Sequence, residues 1–185
     1  MTLNHRLVAW SATELGGEGQ VLDVVRAPAP VLSAPAALVD PASPHVVRLA
    51  ADLVATMRVS PGCVGLAAPQ VGVSDRVFCV DVSGHPKTRD HHGTFVLCNA
   101  EVVDASRNER AREGCMSVPD FTGDVKRATR VVVRGQLPGT GEHVVLEANA
   151  FEARALQHEL DHCDGLLFLD RVADARAVHP RRTYL

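Results

Sequence analysis

Aromatic residues are scarce, 4% of the 185 residues, so a folded core must be assembled mainly from Val, Leu and Ala. No stretch approaches the roughly 20 consecutive apolar residues of a membrane-spanning helix. The opening MTLNHRLVAWSATELGG lacks an apolar segment of signal-peptide length. The expectation is a cytoplasmic protein with no membrane partner. The five cysteines are odd in number and no C-x-x-C occurs, which argues against a disulfide framework and fits a reducing compartment. Neither sign of charge dominates: the net charge is −3 and the pI about 6.3. Sequence-specific nucleic acid is therefore not expected as a partner. No internal repeat is present.

What is there is ordinary for one globular domain, with 46% apolar and 22% charged residues. A chain of this length buries about two thirds of its unfolded surface. Residues 1–20 are polar and end in Gly16, Gly17 and Gly19, so they read as a flexible tail. Residues 21–172 read as the folded domain, and residues 173–185 as a basic, solvated tail. Val21–Arg26 is a short β-prone run. Ser43-Pro44 opens a helix, with Ser as N-cap and Pro at the first helical position. Val46, Leu49, Ala50, Leu53, Val54 and Met57 form its buried stripe. Arg76–Val82 is a strand, Ser83–Gly93 a polar loop, and Phe95–Asn99 and Glu101–Ala105 are short strands. Arg130–Arg134, the turn Pro138–Gly141 and Val144–Leu146 make a hairpin. His91 and His92 are adjacent in a loop, and adjacent side chains seldom converge on one ion.

The stretch NAFEARALQHELDHCDG, Asn149 to Gly165, carries H-E-x-x-H on a predicted helix. Asn149 is a good N-cap, Glu152 can complete a capping box, and Gly165 suits the position just past the helix end. At about 100° per residue, Phe151, Ala155, His158 and His162 share one face. Glu159 lies beside that face, close enough to touch a water held by a metal without being a ligand. That is the layout of a metallohydrolase. The same five-residue pattern also arises on ordinary solvated helices, so a third ligand and an electrophile-binding loop are required.

Two further segments stand out. Cys63-Val64-Gly65-Leu66-Ala67-Ala68-Pro69-Gln70 is built of small residues that allow close approach to the backbone. Taken alone it reads as a tight strand-to-turn connection with Gln70 solvated. Glu113-Gly114-Cys115-Met116-Ser117 places a cysteine between a glycine and polar neighbours, whereas lone cysteines usually belong to cores.

In this order and with suitable separations, CVGLAAPQ, EGCMS and QHELDH resemble the three signature motifs of peptide deformylases. A weaker likeness runs from VVRAPAPVL to GLLFLDRV, so it covers most of the chain. The resemblance implies an α+β fold, small antiparallel β-sheets packed around a central helix carrying the H-E-x-x-H. It implies that Cys115, His158 and His162 hold a divalent metal, Fe²⁺ by family habit, with Zn²⁺, Ni²⁺ or Co²⁺ able to take the same ligands. Glu159 becomes the general base, and Gln70 with the Met116 backbone N–H the oxyanion donors. Val64, Gly65 and Leu66 would line an extended peptide, and Phe151 and Ala155 would touch its methionine. Glu113 and Arg127 match positions that pair to hold the cysteine loop; the plainer alternative is a pair of surface charges. The implied function is hydrolysis of the N-formyl group from N-formylmethionyl nascent polypeptides, with transient contact with the ribosome as a further partner expectation.

Cys63 stands where glycine is usual in the family, and a side chain there would narrow the substrate cleft. Met116 replaces a leucine and Cys163 another, the latter without functional account. Two rivals remain at this stage. An ordinary metalloprotease needs a downstream third ligand, and His179 is the only later histidine. A non-catalytic metal- or redox-sensing paralogue would use Cys115 as its responsive thiol.

Overall fold

The computed structural model describes residues 18–88 and 90–182. Most of the expected N-terminal tail lies outside these residues. Its described end is tied down: the Gln20 N–H donates to Asp52 Oδ1 at 2.6 Å.

The first helix, α1 (Pro44–Val59), starts where Ser43 and Pro44 predict, and the Ser43 side chain accepts from the Val46 N–H. All six residues of its expected stripe are buried. The strands are β1 (Gly65–Ala67), β2 (Val77–Val80), β3 (Phe95–Cys115), β4 (Val118–Gln136), β5 (His143–Asn149) and β6 (Val178–Pro180). The second helix is α2 (Ala150–Cys163). The α+β class is as expected, and hydrogen bonds join the strands into one six-stranded sheet in the order β1-β2-β3-β4-β5, with β6 on β4. Every ladder is antiparallel.

All of β2 is buried because both sheet faces are covered there. Val77 and Cys79, with Val96 and Cys98 of β3, pack with the α1 stripe. Phe78 and Val80, with Phe95 and Leu97, pack with Ala153, Ala155, Leu156 and Leu160 of α2. The alternation of strand side chains thus assigns one helix to each face.

Three expectations change. Val21–Arg26 forms no strand; Leu22 and Val25 instead donate their N–H groups to Thr56 Oγ1 and the Gln70 carbonyl. The short strands expected near Phe95 and Glu101 belong to one long strand, β3, bent by register shifts between Cys98 and Glu101 and between Val102 and Asp104. Solvent-facing charges from Arg107 to Arg112 hide its strand character, because between Glu101 and Arg112 only Ser106 and Ala111 are even half-buried. The basic C-terminal segment contributes β6, pairing Phe121, Thr122 and Gly123 with Pro180, His179 and Val178.

No helix among the described residues is long and apolar enough to cross a membrane.

Candidate active site

Helix α2 leaves β5 at Asn149, but that side chain makes no cap bond. Glu152 does not complete the expected capping box either. Its buried carboxylate accepts from the His92 N–H and pairs with His92 Nδ1, both at 2.8 Å. His92 is thus an anchor between the 83–93 loop and α2, and neither it nor His91 belongs to the metal-competent group. At the other end Gly165 takes φ +76°, and the Leu166 N–H returns to the Asp161 carbonyl at 2.8 Å. This is a glycine-stopped helix end; a Cβ at Gly165 would collide with the Ala34 backbone.

Between these ends α2 meets the last residue of β3. One donor atom each from Cys115, His158 and His162 lie within 4.8 Å of one another, the only such trio of His, Cys or acidic side chains among the described residues that is placed to hold a metal ion. Cys115 Sγ is 3.2 Å from His162 Nε2. Burial alone would raise the Cys115 thiol, but the adjacent His162 and His158 imidazoles outweigh it and hold the group well below its ordinary value. The opposite balance acts on His158: burial lowers it, while Cys115 and Glu113 raise it more strongly.

The far nitrogen of His158, Nδ1, lies 3.0 Å from Glu113 Oε2. Glu113 also receives two bonds of 2.9 Å from Arg127 and one of 2.7 Å from Arg154. Arg127 reaches on to Asp161 at 2.5 Å, and Arg171 closes on the same carboxylate. Glu113 and Arg127 are therefore a buried bidentate pair, as the resemblance implies, and not surface charges. Arg154 and Asp161 escaped the sequence reading. Their spacing from His158 on the helix, four and three residues, is the signal that was there to find.

Gln70 sits on a short 3₁₀ turn, Ala68–Val71, directly after β1. It is 2% exposed, which overturns its reading as a solvated turn residue. Its Oε1 accepts from the Ala67 N–H at 3.0 Å, and its Nε2 donates towards Cys115 Sγ at 3.4 Å and Ser117 Oγ at 3.3 Å. Ser117, fully buried, is a third residue the sequence reading missed. Met116 occupies the two-residue turn between β3 and β4 beside it, with its side chain against the α1 core.

Glu159 is 3% exposed and its Oε2 has no hydrogen-bond partner. Burial pushes its carboxyl up to about 7 against the pull of His158 and His162. Val64, Phe151 and Ala155 all lie against the α2 side of the core, and Phe151 stacks on His85 with ring centroids 3.9 Å apart. Leu66 faces the other way, into the α1 cluster. Cys63 turns its thiol to the Gly65 carbonyl at 3.1 Å, and burial pushes that thiol up to about 12. His179 pairs with Asp124 at 3.0 Å and is not in the metal-competent trio, which removes the ordinary metalloprotease reading.

The profile of the family described as polypeptide deformylase matches residues 21–178. The chain belongs to the polypeptide deformylase family. It is 45% identical over 153 residues to the peptide deformylase of Desulforudis audaxviator, an alignment covering 82% of this chain and 93% of that one. It is 40% identical over 151 residues to that of Carboxydothermus hydrogenoformans, with the same two coverages. Among solved structures, peptide deformylase from Thermotoga maritima superposes with a TM-score of 0.75 at 32% identity, over 84% of this chain and 99% of that one. A class I type b peptide deformylase from Acinetobacter baumannii, solved with Met-Ala-Ser bound, gives 0.71 at 34% identity, over 82% and 98%. As a deformylase the chain is a hydrolase of the formyl group, and this sets aside the non-catalytic sensor. Deformylases are metalloenzymes, and the trio at the α2–β3 contact is a group that could hold a metal ion.

Proposed function

We propose that Cys115, His158 and His162 hold one divalent cation, and that the site removes the formyl group from N-formylmethionyl peptides. The observation that carries this reading is the trio itself, with the Glu159 carboxyl buried beside it and one oxygen unpartnered. The donor set fits: one thiolate and two imidazoles leave a fourth tetrahedral position open. Fe²⁺ is the cation proposed, and the thiolate equally suits Zn²⁺, Ni²⁺ and Co²⁺. When bound, the cation supplies Lewis acidity and lowers the proton affinity of a water in that position.

The chain's own residues account for the rest. Glu159, with a carboxyl raised to about 7, takes a proton from the attacking water and later gives it to the departing amine. Water oxygen bonds to the formyl carbon, the C–N bond breaks, and formate and a free N-terminus leave. Gln70 Nε2 and the Met116 N–H donate to the oxygen on which negative charge develops; one such donor supplies ~2.7–4 kcal/mol. The Glu113–Arg127–Arg154 cluster fixes the His158 ring. The substrate backbone adds to the outer edge of the sheet at Val64, Gly65 and Leu66, because among the described residues β1 pairs only with β2. Phe151 and Ala155 receive its methionine. The relative crystallised with Met-Ala-Ser supports a peptide beginning in methionine. New polypeptides carrying formylmethionine place the enzyme in the cytoplasm, in transient contact with the ribosome.

The test is formate release from a formyl-Met peptide by anaerobically prepared, Fe²⁺-loaded protein, beside the acetyl-Met peptide. Rapid formate release with no acetate release is expected. Equal hydrolysis of both, or of neither, contradicts the proposal.

A further inference from the structure

The C-terminal segment reaches the active site from behind. Strand β6 lies on the outer side of β4, and the next residue, Arg181, gives its N–H to the Asp120 carbonyl at 2.8 Å. Its side chain passes over Gly114 and places Nη2 3.4 Å from the carbonyl oxygen of Cys115. Gly114 makes this path: a Cβ there would lie 2.2 Å from Arg181 Nη2 and 3.1 Å from its Cζ. The guanidinium occupies the space that the missing side chain leaves.

The carbonyl it reaches belongs to the same peptide group as the Met116 N–H. That peptide is trans, so its carbonyl and its N–H point in opposite directions in one plane. A charge-assisted donor on the carbonyl therefore does two things to the N–H. It fixes the plane, and so the direction in which the N–H points. It also polarises the amide, which strengthens the N–H as a donor.

We propose that Arg181 is a positioning residue for deformylation, which orients and polarises the Cys115–Met116 peptide from outside so that its N–H serves the developing oxyanion. This rests on the reading of Met116 given above. Arg181 acts through the peptide and touches no substrate. Its removal should lower kcat by about tenfold, short of the roughly 10²–10³ lost with a whole oxyanion donor. KM should barely move, because the contact strengthens as charge develops. Lys at this position should restore part of the effect, since it keeps the charge but not the planar fork.

Four proteins test this as full-length, metal-loaded enzymes: wild type, Arg181→Ala, Gly114→Ala and the double variant, with Arg181→Lys as rescue. The added methyl of Gly114→Ala should push the guanidinium off the carbonyl and lower kcat by a similar factor. On the Arg181→Ala background it should then cost little more. A readout independent of turnover comes from Zn²⁺-loaded protein labelled with ¹³C′-Cys and ¹⁵N-Met. Cys-Met occurs once in the chain, so one signal reports the peptide, and it should shift alike in Arg181→Ala and Gly114→Ala. An unchanged kcat in Arg181→Ala, or fully additive losses in the double variant, overturns the proposal. Loss of formate release already in the wild type would instead overturn the deformylase reading, while the labelled peptide would still show whether Arg181 holds it.

Discussion

The Glu159 carboxylate occupies the space that a side chain at Gly65 would fill: a Cβ at Gly65 would come within 2.6 Å of Oε1 and 2.9 Å of Cδ. The glycine of CVGLAAPQ is thus explained by the glutamate of QHELDH, across the gap between the sheet edge and α2. Gly65→Ala should displace the carboxylate by a fraction of an ångström to an ångström. A shift of that size can cost up to about 10²-fold in turnover. Steady-state kinetics on a formyl-Met peptide checks this, and a normal kcat would show that Glu159 has room to spare.

Glu159→Gln keeps the volume and removes the proton carrier. Metal content should stay at the wild-type level while kcat falls by roughly 10²–10⁴. Metal analysis alongside formate assays separates the two. A Gln variant of near-normal turnover would assign the proton transfer elsewhere.

Glu113 ties His158 Nδ1 to Arg127 and Arg154. Glu113→Gln should loosen this hold and weaken metal retention by about 10–100-fold, measured by competition with a chelator. Arg127→Met removes a guanidinium shared by two buried carboxylates, Glu113 and Asp161. Arg154 and Arg171 still pair with them, so the loss should stay below the ~3–5 kcal/mol of a wholly stranded buried charge, which denaturant unfolding would register.

The His92–Glu152 pair gives stability a pH dependence. The Glu152 hydrogen bond raises the His92 pKa above its ordinary 6.5, against partial burial. The charged pair therefore contributes fully below pH 6.5, and its contribution is lost as pH rises through the elevated value. Wild-type stability should carry a declining component above pH 6.5 that is absent in His92→Ala. Identical pH profiles for the two proteins would contradict the assignment.

The H-E-x-x-H of the proposed site was legible in the sequence because its chemistry is local to one helix, whereas Cys115 entered only through the likeness to the family. The α1 stripe was legible for a similar reason, since a 3.6-residue period needs no tertiary knowledge. The rest depends on what comes near from far along the chain. Glu152 caps no helix because His92, sixty residues away, takes its carboxylate. Ser117 looks like a turn residue until Gln70 is folded against it. The β3–β4 hairpin was hidden because its charged residues face water along much of its length. Arg181 reads as one more basic residue near the chain end until β6 is laid on β4.

The proposed site needs one cation held by residues from two separate elements, the end of β3 and the second half of α2. X-ray absorption at the metal edge of protein loaded with one equivalent of Fe²⁺ or Zn²⁺ tests this most directly. One sulfur and two imidazole nitrogens in the first coordination shell are predicted, with the sulfur contribution lost in Cys115→Ser. A shell without sulfur in the wild-type protein, or one unchanged in Cys115→Ser, would contradict the account.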